Sequence, residues 1–373
     1  MRISNIYNLG IKELRSLGRD PLMLGLIVFA FTIAVYTAAT ALPETLNRAA
    51  ISIVDEDNSP LSSRIAAAFY PPYFLPPRMI TQAEMDARMD AGLDTFAIDI
   101  PPNFQRDVLA GRNPAIQLNV DATRMSQAFT GAGYIQAIIN REVSAFVERY
   151  QSRPTAPVQL VDRMRFNPTL ERSWFGAIIE VINNVTMVSV ILTGAALIRE
   201  REHGTIEHLL VMPVRPIEIM LAKILSMGLV VWSACALSLA FVVQGLLSVP
   251  IEGSVMLFLA GAAAHLFATT SLGIFLGTAA RSMPQLGLLI ILVLLPLEML
   301  SGGMTPRESM PEFVQNIMLA APTTHFVLLA QAILYRGAGF DVVYPQFIAL
   351  IAIGAALFAF SLARFRKSLS EIG

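Results

Sequence analysis

Few residues in this chain of 373 amino acids have the types and spacing that enzymatic chemistry requires. A phosphate-binding P-loop needs Gly-Lys-Ser/Thr, and none of the three lysines lies in that motif. His203 and His208 are five residues apart, so they lie off a common helical face, and they lack the His-Glu-x-x-His order of a zinc site. The single cysteine, Cys235, lies in an apolar run that favours a buried side chain. We therefore expect no ATPase activity, no metal site and no cofactor bound by this chain.

The densest group of carboxylates is Asp55, Glu56 and Asp57. It lies in the polar segment 44–172, which contains no His, Cys or Lys and so lacks the side chains of thiol, triad and common metal chemistry. The group follows a β-rich run and precedes Ser59 and a helical pattern, which is typical of a turn with a helix N-cap. A binding or catalytic role for these carboxylates is the alternative.

Polar side chains in apolar runs are candidates for a substrate path, because a polar group in hydrocarbon is costly and often has a function. Glu180 and Asn184 are one helical turn apart and Asn183 lies beside them, so all three are expected to face a common cavity. Glu298 lies near the end of another apolar run, where an interfacial position is favoured. Hydrogen bonding between helices, or snorkelling of Glu180, is the alternative. His265 is expected to pair with Glu180 or Glu298.

The composition indicates that much of the chain lies within a membrane. Hydrophobic residues make up 54% and charged residues 15%, whereas globular chains have about 25% charged residues. The 27 basic and 28 acidic residues give a net charge of −1, which excludes a nucleic-acid binder because phosphates require a basic field. Uncharged runs of roughly 20 residues, the length that crosses the hydrocarbon core, predict six transmembrane helices. They cover Pro21 to Pro43, Val181 to Ile198 with a turn or two before it, Ile224 to Ile251, Gly253 to Ala280, Ser282 to Leu297 with an extension past Glu298, and Val342 to Ala363.

Basic residues predict the orientation of these helices. With the amino end inside, the short outer segments carry only Arg307 and Arg336. Both termini are therefore expected in the cytoplasm, with residues 1–20 as an interfacial helix and residues 364–373 as a tail. The first run, 21–43, is longer than the apolar part of a cleaved signal peptide, which favours a retained helix. The basic residues next to the inner ends are Arg2, Lys12, Arg15, Arg19, Arg199, Arg201, Arg215, Lys223, Arg281, Arg364, Arg366 and Lys367.

Residues 44–172, between the first two runs, are expected to fold as a water-exposed α/β domain on the outer side. Their 13 arginines and 15 acidic residues contrast with the rest of the chain. Alternating β-rich and helical patterns predict an α/β fold. The predicted strands are 50–54, 95–100, 116–120 and 158–161, and the predicted helices are 59–69, 84–91, 103–110 and 125–150. The fold class is thus a polytopic α-helical membrane protein, with this domain between helix 1 and helices 2–6, which lie within residues 173–363.

The segment after the second run predicts a short amphipathic helix on the inner side. Thr205 is a favourable N-cap, and Glu207 lies in the first turn, where the helix dipole favours a negative charge. Pro213 ends the helix. An apolar face at this position needs a groove, either in the bilayer surface or in another protein. The apolar residues that share one face are Ile206, Leu209 and Leu210.

This segment, residues 199–216, resembles the coupling helix of ABC-2 type permeases, the membrane subunits of ATP-binding-cassette exporters. The strand at 51–54 with its acidic turn is similar to the start of that family's large extracytoplasmic domain. The stretch Leu300-Ser301-Gly302-Gly303-Met304-Thr305-Pro306 resembles the family's outer segment between the last two spans. The order of one helix, a large outer domain and five further helices also fits. The resemblance covers essentially the whole chain and implies a bacterial inner membrane.

The resemblance also implies partners. Two ATPase subunits, which bind ATP and Mg²⁺, would dock against the coupling helices of two permease subunits in a homodimer or heterodimer. The resemblance also leaves open a periplasmic adaptor protein as a further partner of the outer domain. The implied ATPase-coupling residues are Gly204, Thr205, Ile206, Glu207, His208, Leu209, Leu210 and Pro213.

Residues 301–341 are amphipathic but interrupted by prolines, so they are too broken for a further full span. The family resemblance implies short re-entrant helices that return partway into the membrane from outside. Irregular backbone at that depth must be satisfied by protein or trapped water, which suits a lid over a substrate path. The residues assigned to this segment are Ser301, Gly302, Pro306, Pro311 and Pro322.

Together these features predict the permease subunit of an exporter that moves a hydrophobic or amphipathic substrate outward, with ATP hydrolysed by a separate subunit. A path with few fixed charges favours drugs or lipids over small ions. The alternative is a membrane-anchored sensing or assembly protein whose outer domain binds an extracytoplasmic partner. A membrane enzyme that uses the outer carboxylates is a third and weaker interpretation.

Overall fold

The computed structural model describes residues 2–40, 48–121, 125–151, 172–202 and 214–370. The chain forms two compact units. The helix unit comprises Met1–Ala41 and Met164–Gly373, and the sheet unit comprises Leu42–Arg163. The predicted fold class, a helical membrane protein with a small α/β domain after the first apolar helix, is confirmed.

The order of the elements follows the hydrophobic pattern of the sequence. Three helices contain a wider π-helical turn, which lies at Ala30–Ala34 in α2, at Ser238–Leu246 in α8 and at Gln331–Tyr335 in α12. In chain order the elements are α1 Ile3–Gly18, α2 Pro21–Thr40, β1 Ile51–Asp55, α3 Pro60–Ala67, β2 Arg78–Met79, α4 Gln82–Asp90, β3 Phe96–Ile100, α5 Phe104–Leu109, β4 Gln117–Val120, α6 Met125–Gln151, α7 Arg172–Glu202, α8 Pro216–Leu246, α9 Val255–Ala279, α10 Met283–Met299, α11 Glu312–Met318, α12 Pro322–Tyr335 and α13 Phe340–Ser370.

Five helices within the described residues are long and apolar enough to cross a membrane, namely α2, α7, α8, α9 and α13. The helix α10 has 17 residues, about 25 Å at 1.5 Å per residue, which is shorter than a hydrocarbon core of about 30 Å. The helices α11 and α12 are bent by 91° at the break between them, so they form either a broken span or a re-entrant pair. The described residues therefore contain five candidate spans, or six if the bent pair counts as one.

In the part of the sheet unit that the structure describes, four strands form one sheet, in the order β2-β1-β3-β4. The strand β1 pairs in parallel with β2 and β3, and β4 pairs antiparallel to β3. Ile53 lies opposite Ile98, and both are fully buried under α3 and α6. The sequence missed β2, because two residues are too short for an alternating pattern. The strand predicted at 158–161 lies outside the described residues.

The acidic turn after β1 is held by its own side chains. One carboxylate oxygen of Asp55 accepts hydrogen bonds from the backbone N–H groups of Asp57 and Asn58, and the other accepts from the Ser62 hydroxyl. Ser59 caps α3 through the backbone N–H of Ser62. These contacts match the turn and N-cap interpretation. Both carboxylate oxygens of Asp55 accept hydrogen bonds that stabilise the turn and the start of α3.

In the helix unit, α9 is the central helix. It packs along α7 on one side and α13 on the other, while α1 packs on α8 and α2 packs on α7. Much of the surface of α2 and α13 is apolar and exposed, with Leu22, Val28 and Ile348 as examples. Such surfaces suit a lipid environment, since hydrocarbon is as apolar as these side chains.

We expect Asp94 to stabilise the sheet unit through a two-pronged ion pair. Its carboxylate accepts hydrogen bonds of 2.7 and 2.9 Å from the guanidinium of Arg88. Burial opposes ionisation, but the hydrogen bonds and positive charges around the carboxylate, those of Arg88 foremost, together outweigh it and hold the pKa of Asp94 below its usual value. At neutral pH, Asp94→Asn should lower the free energy of unfolding by about 1–3 kcal/mol, seen as faster amide exchange in β1 and β3 of the full-length protein.

The pH dependence has a defined sign. Because the folded pKa is depressed, the contribution of Asp94 is fully present above its unfolded pKa and is lost as the pH falls through the folded pKa. The difference between wild type and Asp94→Asn should shrink at that acidic end. The control is Asp86→Asn, which changes an exposed carboxylate of α4, the helix that carries Arg88. Equal exchange in both variants at neutral pH would contradict the prediction.

Candidate coupling junction and substrate path

The helix α7 carries three of the four predicted substrate-path residues. It has 31 residues, and its side chains are largely buried between α2, α9 and α10. Glu180, Asn183 and Asn184 lie near its beginning, and Glu200 lies near its end. The two groups are on one continuous helix, about 30 Å apart at 1.5 Å per residue.

The structure brings Glu180 and Asn184 into direct contact. The Asn184 side-chain amide donates one hydrogen bond of 3.2 Å to a Glu180 carboxylate oxygen and another of 2.8 Å to the backbone carbonyl of Ala30. That carbonyl belongs to the π-helical turn of α2. Asn184 is buried, whereas Glu180 and Asn183 are half-buried. The pair therefore joins α7 to α2 at a polar point in an apolar surrounding.

Glu298 lies at the last turn of α10 and is half-buried. It interacts electrostatically with Glu180. Among the described residues, neither carboxylate has an ion-pair partner, and one oxygen of Glu298 is buried without a hydrogen bond. The hydroxyl of Ser301 donates to the backbone carbonyl of Glu298. Two acidic groups thus lie close together at the ends of α7 and α10 that adjoin the bent pair.

His265 does not pair with either glutamate, so that expectation is wrong. Its Nε2 atom is 2.8 Å from the Thr186 hydroxyl, and its ring stacks on Phe326 with the centroids 4.2 Å apart. The side chain is fully buried, and its Nδ1 atom has no partner among the described residues. His265 therefore connects α9 with α7 and with α12 of the bent pair.

The contact between α7 and α9 continues as a line of small and hydroxyl side chains. The hydroxyl of Ser189 donates to that of Thr269 at 2.7 Å. One turn further along, Gly273 lies directly against Thr193 and the backbone of Val190. Small residues permit this close approach of helix backbones in a membrane. The repeated spacing of three and four residues on both helices is the sequence signal for this contact.

The predicted re-entrant residues lie where one helix ends or the next begins. Gly302 has a φ of +97°, in the region that glycine adopts readily, and follows the end of α10. Pro306 precedes a single 3-10 turn, Pro311 caps α11, and Pro322 is the first residue of α12. Each proline begins an element because a proline nitrogen cannot donate to a preceding turn. Thr323 of α12 donates to the carbonyl of Leu297 at the end of α10.

The predicted coupling residues Gly204, Thr205, Ile206, Glu207, His208, Leu209, Leu210 and Pro213 lie outside the described residues, as do His203 and the rest of 203–213. The structure does describe both flanks of this segment, which are the end of α7 at Glu202 and the start of α8 at Pro216. We use the name coupling junction for the charged side chains that connect these two flanks to α1. They are Lys12, Glu13, Glu200 and Lys223.

The coupling junction is a buried, charge-balanced chain of ion pairs. The Lys223 ammonium of α8 is 2.8 Å from a carboxylate oxygen of Glu13 in α1 and 2.8 Å from one of Glu200 in α7. Lys12 of α1 contacts the other oxygen of Glu200 at 2.6 Å. The Lys223 side chain is 2% exposed and that of Lys12 is 47% exposed, so water screens only the outer end of the chain.

Burial raises the pKa of the Glu13 carboxyl, and the neighbouring Lys223 ammonium opposes that effect. Sequence reasoning missed this residue. The available signal was an acidic side chain on the apolar face of an amphipathic helix, because Glu13 lies one turn from both Leu9 and Leu17, which are buried with it. A charge at such a position needs a partner from another helix.

Further contacts hold the same flanks. Arg199 of α7 pairs with Asp20 at 2.8 Å, just before α2. Arg201 donates to the carbonyl of Ala280, and Glu202 accepts from the backbone N–H of Met283 at the start of α10. The end of α7 is therefore bonded to neighbours on two sides, directly before the segment 203–213.

The chain combines a bundle of several apolar helices with an inserted α/β domain. Charged side chains flank the short segment between its second and third spans. This is the organisation of a transporter permease. The family model described as "ABC-2 family transporter protein" matches residues 22–363, and the chain belongs to that family. It is 67% identical over 370 residues to the inner membrane transport permease YhhJ of Escherichia coli (strain K12), covering 99% of both chains. It is 26% identical over 365 residues to the probable multidrug ABC transporter permease YbhR of the same organism, covering 97% of this chain and 98% of the relative.

The comparisons confirm several predictions made from the sequence. The chain is the permease subunit of an ABC transporter, it is a multi-pass protein of the inner membrane, and it is not itself an ATPase. An ABC permease requires an ATPase partner, because it has no nucleotide site of its own.

The close contact between α7 and α9 predicts a glycine requirement at Gly273. A Cβ atom there would lie 2.6 Å from the Thr193 hydroxyl and 2.7 Å from the Val190 carbonyl. Gly273→Ala should therefore push the helices apart and cost about 1–3 kcal/mol, measured as a lower unfolding temperature of the purified protein in lipid or detergent. Gly228→Ala is the matched control, since no atom lies within 4 Å of a Cβ at that position of α8. A loss of stability in both variants, or in neither, would contradict this prediction.

Proposed function

We propose that this permease exports hydrophobic or amphipathic small molecules, such as drugs or lipids, with energy from ATP hydrolysed by two separate ATPase subunits. The observation that supports the proposal best is the continuity of α7. One helix carries the Glu180–Asn184 pair near its beginning and the coupling junction at its end. A rigid helix of this length transmits a displacement at one end to the other, which is what an ATP-driven transporter needs.

The cargo class follows from the interior of the helix unit. Its walls are apolar, and the polar groups near Glu180 and Glu298 are few, so a largely apolar molecule with a small polar part fits better than an ion with a full hydration shell. The relative YbhR is named a probable multidrug permease, which agrees with this cargo class. Glu180, Asn183, Asn184 and Glu298 are the residues that we propose to line the path.

Segment 203–213 is the proposed contact with the ATPase. In this proposal both termini and the coupling junction face the cytoplasm, because the basic residues concentrate at that end of the spans. The sheet unit is then extracytoplasmic, where a periplasmic adaptor has access to it. A second permease subunit, identical or similar, completes the path, and ATP and Mg²⁺ bind to the ATPase subunits alone.

The bent pair is the proposed outer gate. The helix α12 contacts α10 through Thr323 and α9 through the stack of Phe326 on His265, so it lies beside the proposed path. A sensing or assembly protein would need a membrane anchor but no polar groups inside its helices. The buried polar contacts of α7 therefore favour transport over that alternative.

We expect Asn184→Leu to impair transport, because it removes the hydrogen bond to the Glu180 carboxylate and the one to the Ala30 carbonyl of α2. In proteoliposomes with the ATPase partner, substrate-stimulated turnover should fall about tenfold, the effect of losing a hydrogen bond to a charged group. The control is Ser233→Ala, whose hydroxyl bonds only to Leu229 of its own helix. The substrate is identified by a screen for compounds that raise the ATP turnover of the wild-type complex. Undiminished turnover of the Asn184→Leu complex with such a compound would contradict the assignment.

Charge reversal at Glu207 should uncouple transport from ATP hydrolysis, because it changes the charge of the proposed ATPase contact. Replacement of Gly204 should have the same effect. The measurement is the ratio of substrate exported to ATP hydrolysed by the reconstituted complex. The control is Glu56→Lys, which makes the same charge change at an exposed position of the sheet unit. Undiminished export and substrate-stimulated hydrolysis in both variants would reject the assignment of this segment.

A further inference from the structure

The N-terminal helix α1 is held to the flanks of segment 203–213 by more than apolar packing. Its buried face contains Leu9 and Leu17, and the charged side chain between them is Glu13. Apolar contacts are not directional, so they allow one helix to slide along another. A buried ion pair with 2.8 Å contacts has a fixed geometry and sets the register of the two helices.

The charges of the coupling junction are shared among three helices. Lys223 is the central cation, because it contacts Glu13 of α1 and Glu200 of α7 while it is itself part of α8. It also donates to the carbonyl of Ala196 in α7. Removing either carboxylate leaves one fewer bond between these helices. A single ammonium therefore joins the flank before segment 203–213, the flank after it, and α1.

Position along the chain gives this contact a mechanical consequence. The helix α1 ends at Gly18 and is followed by α2, the first span, after only two residues. Asp20 in this short connection pairs with Arg199 of α7. A displacement of the two flanks therefore reaches the start of α2 through a path of ion pairs.

We propose that Glu13 is a positioning residue for energy coupling, through its ion pair with Lys223, so that α1 moves as one body with the two flanks of segment 203–213. This inference rests on the proposed function, because it assumes that an ATPase displaces that segment. It adds a second route into the membrane, from the flanks through α1 to α2, beside the direct route along α7. Glu218 of α8 also accepts hydrogen bonds from the backbone N–H of Arg2 and the side-chain amide of Asn5, which hold the beginning of α1. The buried pair holds the middle of α1, where water does not screen it, whereas the Lys12–Glu200 pair is exposed at its Lys12 end.

The test uses the full permease in lipid together with its ATPase subunits. The chain has one native cysteine, Cys235, which is fully buried, so thiol-reactive fluorophores report on introduced cysteines. One probe is placed at Arg15→Cys on the exposed face of α1, and the other at Arg215→Cys just before α8, where the side chain is exposed. The fluorescence of each probe is compared without nucleotide and with ATP and vanadate, which traps the closed ATPase.

We expect both probes to respond to trapping in the otherwise wild-type complex. In the Glu13→Gln background, the Arg215 probe should still respond and the Arg15 probe should lose its response, because glutamine keeps the size of the side chain but not its charge. Lys12→Gln is the matched control, since it changes the adjacent, water-screened member of the same junction, and both probes should respond in it. A loss of α1 packing alone would change the Arg15 signal before nucleotide is added, and that outcome counts against the proposal.

The other outcomes separate this inference from the proposed function. If the Arg215 probe responds and the Arg15 probe does not in the wild-type background, α1 does not follow the flanks and the inference is wrong. If both probes respond equally with and without Glu13→Gln, the ion pair is not the connection and the inference is also wrong. If neither probe responds in wild type, the ATPase does not move this segment, and the coupling role in the proposed function fails together with the inference. If Glu13→Gln does not accumulate in the membrane, Glu13→Asp is tested in the same way. Its side chain is shorter by one methylene, so the carboxylate lies farther from Lys223.

Discussion

Hydrocarbon offers no hydrogen-bond partner, so a polar group inside the helix unit is stabilised by a partner within the protein. This constraint accounts for the position of α7 among its neighbours. Its amide at Asn184 reaches a carbonyl in the π-helical turn of α2, and its hydroxyl at Ser189 reaches Thr269 of α9. Each of these bonds fixes one helix against another at a defined register, which apolar packing alone does not do.

The same constraint acts more strongly on charge. The coupling junction places Lys223 between two carboxylates from two other helices. Removal of Lys223 would leave the buried Glu13 carboxylate without the cation it contacts, and removal of either carboxylate would leave Lys223 with one partner. Buried ion pairs of this kind add little net stability, because desolvation offsets most of their attraction. Their contribution here is geometric, since they determine which helices meet at the two ends of segment 203–213. The proposed mechanism uses this geometry, with α7 and α1 as the two elements that receive a displacement.

Much of the architecture was predictable because its signals are local. The apolar runs identified α2, α7, α8, α9 and α13, and the alternation of β-rich and helical patterns identified three of the four strands. Two predictions needed correction or refinement for physical reasons. The helix α10 is shorter than a full span, and His265 stacks on Phe326 of α12, since nothing in a linear pattern specifies which distant ring an imidazole meets. The strand β2 was missed because its two residues carry no periodicity.

The sequence by itself determined which parts of the chain lie in lipid and which in water, and it located the apolar runs and the inserted domain. It also determined the need for an external source of energy. Hydropathy, periodicity and the missing P-loop are all properties of residues that are neighbours in the sequence. Only the tertiary structure decided which polar groups meet. Glu13 and Lys223 are separated by 210 residues, and Thr186 and His265 by 79. Each of these side chains had an unmet electrostatic or hydrogen-bonding requirement that was visible in the sequence, but the packing of the helices selected the partner.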